Sequence, residues 1–367
     1  FEMPAAGGLH SVLLQADGGA VACGRNGHGQ CDIEAPEPGV TYDLLAAGQF
    51  HTVLLRSDGR AVACGCNVYG ACDIPEAGEF GYVGVSAGSE HTVLLRGDGA
   101  AVACGRNDYG QCDLPLPPLG VVFLQVAAGG DHTLLFGSDG HVIACGRNDF
   151  GQCDIPELEE GVAYLHGDAG GHHTVLLRTD GRVVACGRND FGQCEVPDLD
   201  VGVRCCQVAA GGRHTLLLLS NGSVVAFGRN DFGQCDVPVN GASYSQVAAG
   251  GVHSVLLRTD GHVVARGCNR AGQCKLPALL GAIPAMPSRS LVVHLVRERP
   301  FCLRAASCKN LAGRAVATWT VPKGTLGRSV LRQVKEELGR PGVRLHVLTP
   351  CGHELTESLT WGEFFEE

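Results

Sequence analysis

One phrase returns seven times along this chain, and its regular spacing constrains the fold more than any other feature. The phrase is A-G-G-x-H-(T/S)-(V/L)-L-L, with small departures, and its histidines stand 39 to 41 residues apart. They are His10, His51, His91, His132, His173, His214 and His253. A second mark, G-(Q/A)-C, keeps the same step at Cys31, Cys72, Cys112, Cys153, Cys194, Cys235 and Cys274. A fixed period near 40 residues indicates an array of one supersecondary unit.

Each unit contains two β-prone runs that are joined by a tight turn. In one unit Val175–Arg178 precedes Asp180-Gly181, and Val183–Cys186 follows. Asp-Gly in this position predicts a hairpin with a type I′ turn, in which both central residues need positive φ. The turn aspartates are Asp17, Asp58, Asp98, Asp139, Asp180 and Asp260, and the remaining unit has Asn221. Because asparagine can stand there, we interpret the position as a backbone constraint and not as a carboxylate function.

The glycine-rich bends divide each unit into three or four short strands and leave no room for a helix. Four-stranded units that repeat around an axis form a propeller, which normally has four to eight blades. The seven units therefore predict an all-β fold, a closed seven-bladed β-propeller over residues 1–277. We expect the repeat histidines and the G-Q-C positions to be buried in it.

The repeat resembles that of a known family. The run H-T-V-L-L-R-T-D-G-R-V-V-A-C-G-R-N-D-F-G-Q-C is similar to the repeat of the regulator of chromosome condensation family, and the resemblance covers all seven units. It implies the same propeller fold. The WD repeat fits poorly, because no tryptophan precedes Trp319, and the kelch period of about 50 residues is too long.

Composition sets limits on the class of protein. A chain of 367 residues exceeds what one core usually supports, so a second domain is expected. No apolar run is long enough to span a membrane, and the N-terminus lacks a signal-peptide pattern. Because the chain begins at Phe1 and not at Met, we expect a fragment of a longer protein.

The 19 cysteines are interpreted as packing residues, without metal or disulfide. The position held by Cys186 is held by Phe227 and Arg266 in the last two units, and free cysteine packs as a small hydrophobe. The C-x7-C spacing matches no standard zinc pattern. An odd number of cysteines without a secretory signal favours a reducing compartment, cytoplasm or nucleus. Cys64, Cys66, Cys205, Cys206 and Cys268 depart from the pattern, and we interpret them as drift at exposed or half-buried positions.

The repeat histidines are interpreted as structural hydrogen-bond partners, and no catalytic constellation, metal site or cofactor site stands out. The arginine of G-R-N is expected to pair with the neighbouring blade.

The residue before each repeat histidine varies freely, which predicts an exposed ring on one face. The ring residues are Leu9, Phe50, Glu90, Asp131, His172, Arg213 and Val252. Rigid scaffolds carry function on variable positions, which makes Phe50, Glu90, Asp131, His172 and Arg213 the candidate partner-binding residues; neutral drift would explain the same variation.

Charge separates the chain into two parts. Residues 1–289 hold 17 Lys and Arg against 30 Asp and Glu, and residues 290–367 hold 11 against 8. An acidic propeller is not expected to bind nucleic acid, which needs clustered basic residues. It suits basic protein partners, although moderate negative charge also simply favours solubility.

Beyond the propeller the repeat stops, and we interpret residues 278–289 as a proline-rich linker. Strand patterns follow at Leu291–Val296 and Val316–Val321, a helix pattern at Leu326–Leu338, and a further strand pattern at Val343–Val347. With the later run L-T-E-S-L-T-W-G-E-F, residues 290–367 resemble a ubiquitin-like β-grasp domain. The sequence given lacks the terminal diglycine of such domains and stops before their last strand, so we expect either a truncated domain or one in which the extra strand Leu291–Val296 fills that place.

Two functions from different classes remain open. In the first, the propeller is a non-catalytic protein-interaction scaffold, as in large ubiquitin-pathway proteins. In the second, it is a guanine-nucleotide exchange factor for a small GTPase, an activity that the family resemblance implies. We disfavour the second because that activity relies on a wedge inserted in one blade, and the connectors here keep nearly constant lengths. Two further functions are rejected. The propeller lacks the clustered tryptophans that a photoreceptor of this fold needs, and the chain shows neither a catalytic cysteine domain nor the zinc-binding pattern of a ubiquitin ligase.

Overall fold

The computed structural model describes residues 1, 3–238 and 241–276, together with four strands between residues 290 and 348. The chain divides into two compact units, Phe1–Leu279 and Leu280–Glu367. No helix among the described residues is both long and apolar enough to cross a bilayer.

The first unit consists of seven antiparallel sheets, each built from three consecutive strands. The blades, in chain order, are β1 (Met3–Ala6), β2 (His10–Leu14), β3 (Ala20–Gly24); β4 (Tyr42–Ala47), β5 (His51–Arg56), β6 (Ala61–Gly65); β7 (Tyr82–Ala87), β8 (His91–Arg96), β9 (Ala101–Gly105); β10 (Phe123–Ala128), β11 (His132–Gly137), β12 (Val142–Gly146); β13 (Tyr164–Ala169), β14 (His173–Arg178), β15 (Val183–Gly187); β16 (Cys205–Ala210), β17 (His214–Leu219), β18 (Val224–Gly228); and β19 (Tyr244–Ala249), β20 (His253–Arg258), β21 (Val263–Gly267). A short 3₁₀ helix at Gly78–Phe80 precedes the third blade. The predicted seven-bladed all-β propeller is confirmed, with three strands in each blade.

The blades form a closed ring. The first strands of neighbouring blades contact one another all the way round, from β1 to β4 and on to β19 and back to β1, so they lie closest to the axis. A backbone N–H in the loop before each middle strand donates to the equivalent loop of the next blade. The donor and acceptor pairs are Gly8–Gly48, Gln49–Gly88, Ser89–Gly129, Gly130–Gly170, Gly171–Gly211, Gly212–Gly250 and Gly251–Gly7. In the part of the chain that the structure describes, each blade is built from its own three strands, and none is exchanged between the first and last blades.

The hydrophobic core lies between the blades. The middle strand of each blade is buried on both of its faces, and its successive side chains contact opposite neighbours. Leu134 packs with Tyr164 and Leu176 of the following blade, whereas Leu135 packs with Val93 and Leu95 of the preceding one. Alternate residues of a strand face opposite sides, which explains why this strand is an uninterrupted apolar run in every unit.

The Asp-Gly hairpins differ from the predicted type I′ turn. In the fifth blade the Gly181 N–H donates to the Arg178 carbonyl, and the Arg178 N–H donates to the Arg182 carbonyl. This pattern leaves a three-residue loop, in which Gly181 occupies the left-handed position with φ of 84°. Such a loop is a type I turn that closes on a glycine bulge. Only the glycine therefore needs positive φ, and the preceding residue does not.

The turn aspartate also does more than permit a backbone conformation. Asp180 Oδ1 accepts a hydrogen bond from the Arg182 N–H, and the Asp180 carboxylate pairs with the Arg178 guanidinium. Asn221 accepts the equivalent bond from the Ser223 N–H. Its blade has Leu219 in the arginine position, so no ion pair is lost by the change to asparagine.

In the second unit the structure describes four strands, β22 (Ser290–Arg297), β23 (Leu303–Lys309), β24 (Ala315–Val321) and β25 (Arg344–Leu348). They form one sheet in the order β24-β23-β22-β25, in which only β22 and β25 are parallel. Three of them coincide with predicted strands, and β23 was not predicted. The predicted helix and the whole of the predicted linker lie outside the described residues, so the ubiquitin-like assignment stays a prediction.

Candidate functional site

The antiparallel strands give the propeller two ends. In each blade the start of the middle strand pairs with the end of the third strand, as His132 does with Gly146, so the residue before the histidine and the G-R-N turn lie at the same end. We call this end the turn face. The Asp-Gly hairpins and the starts of the first strands lie at the opposite end, which we call the hairpin face.

The seven repeat histidines connect the blades beneath the turn face. Each is at most 1% exposed, and its Nε2 lies within 2.8 to 3.0 Å of a hydroxyl of the next blade. The pairs are His10–Thr52, His51–Thr92, His91–Thr133, His132–Thr174, His173–Thr215, His214–Ser254 and His253–Ser11. These seven contacts close a second ring, which places the histidines between blades and away from solvent.

The hydroxyl contacts fix the tautomer of these histidines. Thr174 donates its only hydroxyl hydrogen to the Gln152 carbonyl at 2.7 Å, because a carbonyl oxygen can only accept. Its oxygen must therefore accept from His132, so the proton of His132 sits on Nε2. Burial lowers the pKa of His132 to about 3 and that of His173 to about 4, which keeps both rings neutral. Neutral, buried rings of this kind serve as fixed hydrogen-bond donors and not as acid–base groups.

The ring of variable residues lies on the turn face, but it is half-buried and not exposed as predicted. The reason is that each ring residue contacts the G-R-N turn of its own blade or a neighbouring one. Glu90 pairs with Arg106 at 2.8 Å, and Asp131 lies 3.5 Å from Arg147. The other three candidates contact turn residues through their planar groups: Phe50 with Arg25 and His28, His172 with Phe150, and Arg213 with Phe191.

A set of aromatic residues on the turn face was missed in the sequence. It occupies the position before the last glycine of N-x-(Y/F)-G, and its members Tyr69, Tyr109, Phe150 and Phe191 are 38% to 47% exposed. Guanidinium groups lie over these rings at the blade junctions: Arg106 over Tyr69, Arg147 over Tyr109, Arg188 over Phe150 and Arg229 over Phe191. The recurrence of an aromatic at one position in five units was the available signal.

The G-R-N arginines therefore join adjacent blades by stacking, while their ion pairs are local. The Arg106 and Arg147 guanidinium groups each lie 2.6 Å from the aspartate two residues later, Asp108 and Asp149. The pairing expected with the neighbouring blade is a cation–π contact with the aromatic ring that follows the preceding blade. We define the turn-face belt as the ring residues together with these arginines and aromatics.

A shallow surface depression lies in the belt between the second and third blades. It is lined by Phe50, Cys66, Val68, Tyr69 and Glu90, with Ser89 at its rim. Val68 is 78% exposed. The depression combines an aromatic pair, an aliphatic side chain and a carboxylate, which suits a protruding side chain of a protein better than a small molecule that needs enclosure.

The cysteines differ in part from their prediction. The G-Q-C thiols are half-buried; the preceding glutamine, such as Gln152, is the fully buried residue of that motif. Burial raises the pKa of Cys153 to about 11 and that of Cys186 to about 12, so both stay protonated at neutral pH. All cysteines in the described part of the chain are free thiols.

The irregular cysteines do not all lie at the surface as predicted. Cys64 and Cys66 are half-buried and Cys206 is exposed, but Cys205 and Cys268 are buried. Cys205 takes the place that Tyr164 and Tyr244 hold in the blades on either side, and packs in the core between blades. No group of three or more His, Cys, Asp or Glu side chains suited to a metal ion occurs among the described residues.

The repeat pattern of the regulator of chromosome condensation (RCC1) matches six segments of the chain. They are residues 43–71, 82–111, 123–152, 166–193, 205–234 and 244–273. The chain contains six RCC1 repeats. The first blade lies outside these six segments, although it has the same three strands and the same histidine contact as the others.

Solved RCC1-like propellers share this architecture. The chain is 20% identical to Prp20p from Saccharomyces cerevisiae, with a TM-score of 0.59 over 74% of this chain and 83% of that one. Human WBSCR16 is 18% identical, with a TM-score of 0.60 over 70% and 86%. The ectodomain of the receptor kinase CR4 from Physcomitrella patens is 20% identical, with a TM-score of 0.59 over 79% and 80%. At these identities the likeness concerns the fold. No curated protein matches the chain in sequence.

Proposed function

We propose that this chain is a non-catalytic protein-interaction scaffold whose partner docks on the turn-face belt. The observation that carries the proposal is the contrast between a fixed frame and its variable ring. The histidine contacts, the blade-to-blade backbone bonds and the buried middle strands repeat in all seven blades. One position per blade changes its chemistry completely, and it does so next to partly exposed aromatic side chains.

The belt has three sectors of different chemistry. Val252, Leu9 and Phe50 make an apolar sector across the junction of the first and last blades. Glu90 and Asp131 follow as a sector of carboxylates that pair with guanidinium groups. His172, whose pKa is lowered by burial, and Arg213 form a third sector of one imidazole and one guanidinium. An aromatic anchor beside a polar and charged rim is the composition of protein–protein interfaces. The sectors give a partner a defined orientation around the ring.

Protein partners are supported as a class. The crystal structure of Prp20p, whose fold is similar, was reported with the binding properties of that protein to Gsp1p and histones. The acidic excess of residues 1–289 favours basic segments of a partner over nucleic acid, whose phosphates it repels. The second unit would then serve as a further docking module.

Guanine-nucleotide exchange on a small GTPase is the alternative. The connectors between successive blades argue against it, because each spans only 15 to 17 residues, as between Gly228 and Tyr244 or between Gly24 and Tyr42. None of them carries a longer insertion that would form a wedge. If the full chain speeds the release of a fluorescent guanine nucleotide from a small GTPase that it binds, the exchange function replaces the scaffold proposal.

The scaffold proposal is tested by mutation of the belt. The full chain serves as bait for its partner, and the dissociation constant is then measured with purified proteins. Phe50→Ala combined with Arg213→Glu is expected to weaken binding by at least about 2 kcal/mol if the ring contains hot spots. The control combines Val201→Ala with Arg182→Glu, one apolar truncation and one charge reversal at exposed positions away from the belt. Unchanged affinity of the belt variant would contradict the proposal.

A further inference from the structure

The hairpin face carries an exposed apolar surface that the proposed function does not use. Its residues lie in the third, fourth and fifth blades and in the connectors that lead to them. They are Phe80, Val83, Leu119, Val122, Leu124 and Leu165, between 41% and 105% exposed. We call them the apolar arc. Single exposed apolar residues are common, but a contiguous set of this size marks an interaction site.

Five members of the arc are linked through shared neighbours, and Leu119 belongs to the same connector as Val122. Phe80 and Val83 both border Gly97 of the third-blade hairpin, and Val122 packs against Gly99 of the same hairpin. Leu124 lies two residues after Val122, on β10, the innermost strand of the fourth blade. This strand contacts β13, the innermost strand of the fifth blade, which holds Leu165. The arc therefore continues from the third blade to the fifth.

The local backbone explains why three of these side chains are exposed. Val83, Leu124 and Leu165 are the second residues of their strands, where the register with the middle strand shifts by one residue. The extra residue in such a bulge is unpaired and points its side chain away from the regular sheet face. The bulge recurs in six blades, so the exposure is a property of the fold.

The other blades have small or polar residues at the same position. The equivalents in the second, sixth and seventh blades are Asp43, Cys206 and Ser245, and all three are exposed. The fold thus accepts polar side chains there at no cost in packing. Packing within the propeller therefore does not require the three aliphatic side chains Val83, Leu124 and Leu165 at this position, which leaves them free to contact a ligand.

Negative charge borders the arc on both sides. The connectors at residues 76–81 and 157–162 hold five glutamates and no lysine or arginine. Glu76, Glu79, Glu157, Glu159 and Glu160 are all exposed. Two guanidinium groups beside the arc are already paired. Arg96 pairs with Asp98 at 2.7 Å and lies over the Phe80 ring, and Arg178 pairs with Asp180 at 2.8 Å and with Glu159 at 3.4 Å.

We infer that the apolar arc is a second docking site, and that it takes a basic amphipathic helix of a protein partner. The apolar stripe of such a helix would cover the six side chains, while its lysines and arginines would face the glutamates of the two connectors. The same glutamates disfavour an anionic membrane and nucleic acid. This site is at the opposite end of the blades from the turn-face belt and does not depend on it.

The test measures peptide binding by the full chain with fluorescence anisotropy. The probe is a synthetic amphipathic helical peptide of leucine and lysine. Two comparison peptides replace its lysines by glutamate or its leucines by serine. We expect the leucine–lysine peptide to bind at least about tenfold more tightly than either comparison peptide, and its affinity to fall as salt is raised.

The variants use residues that the chain already has at this position. Val83→Asp, Leu124→Ser and Leu165→Ser together reproduce Asp43 and Ser245, so the fold should be unaffected, and the peptide should bind about tenfold more weakly. The belt variant Phe50→Ala/Arg213→Glu is expected to bind the peptide like the unmodified chain, which separates this site from the proposed function. If the triple variant does not fold, Glu157→Gln/Glu159→Gln/Glu160→Gln is expected to reduce both the affinity and its salt dependence.

Three results would overturn the inference. The first is unchanged peptide affinity in the triple variant, or in the glutamine variant. The second is equal binding of the lysine–serine peptide, which would indicate charge attraction alone. The third is tighter binding to phosphatidylserine vesicles or duplex DNA than to the peptide, with that binding lost in the triple variant.

Discussion

At the residue scale, Thr174 shows how a single hydroxyl joins two blades. It accepts from His132 at 3.0 Å and donates to the Gln152 carbonyl at 2.7 Å. Thr174→Val keeps the shape but leaves a buried donor and a buried acceptor unpaired, which should lower the free energy of unfolding by about 2 to 4 kcal/mol. Thr174→Ser is the matched control, because Ser11 and Ser254 hold this position in two blades. Denaturant unfolding measures both; equal stability of the valine variant would contradict this account.

The histidines make the stability of the propeller depend on pH. Their folded-state pKa values, about 3 for His132 and His214 and about 4 for His173, lie below the value of about 6.5 in an unfolded chain. The unfolded state therefore binds more protons between these limits. Stability should be complete above pH 6.5 and fall on acidification, by up to about 1.4 kcal/mol per pH unit for each histidine. Thermal midpoints that stay constant from pH 7 to pH 4.5 would contradict neutral, buried rings.

Asp168 should have the opposite effect on how the stability of the propeller depends on pH. Its two carboxylate oxygens accept from the Ala169 and Ala210 N–H groups at 2.9 Å, and loss of water raises its pKa to about 6. The folded state holds this proton more tightly than the unfolded chain, so the contribution of Asp168 to stability falls as pH rises from about 4 to 6. Asp168→Ser copies Ser86, which accepts the same bond in the third blade. The thermal midpoint of this variant relative to the unmodified chain should increase between pH 4.5 and pH 7; a constant difference would contradict it.

At the element scale, the loop before each middle strand is held by close approach and not by backbone strain. A Cβ on Gly170 would lie 2.4 Å from the His173 ring and 2.5 Å from the Gly211 carbonyl. Gly170→Ala should therefore cost about 3 kcal/mol, because it separates two blades. Gly161 is the comparison, since it has φ of 79° and no atom within 4 Å of its Cβ position. Gly161→Ala should cost about 1 kcal/mol, from strain alone. Similar unfolding free energies for the two variants would contradict this distinction.

The elements also show what could be predicted from the sequence. The period identifies equivalent residues, and it correctly predicts seven blades and the apolar middle strands such as His132–Gly137, because these features are the same in every unit. The half-burial of the ring was not predictable in this way, because Phe50 and His172 owe their surroundings to side chains of an adjoining blade. The hairpin type was missed for a different reason: Asp-Gly is compatible with a two-residue turn and with a three-residue loop, and the choice depends on the strand register.

At the scale of the whole molecule, the ring closes without a shared strand. The contacts between the last and first blades are the same as those at every other junction, with Gly251 bound to Gly7 and His253 bound to Ser11. Because all junctions between blades are equivalent, the surface residues of one blade can be substituted without changing those of another. This explains how the belt can change its chemistry from blade to blade, and how the apolar arc can be built from three blades while the equivalent positions of other blades are polar.

The central claim is that the turn face is the docking surface for the protein partner. Hydrogen–deuterium exchange of the full chain, measured with and without the partner isolated by it, tests this without mutation. We predict slower exchange in the partner-bound chain at the G-R-N turns that follow Gly105, Gly146 and Gly187, with the buried middle strands unchanged. Protection confined to the Asp-Gly hairpins or to residues 290–367, with unchanged exchange at the G-R-N turns, would contradict the claim.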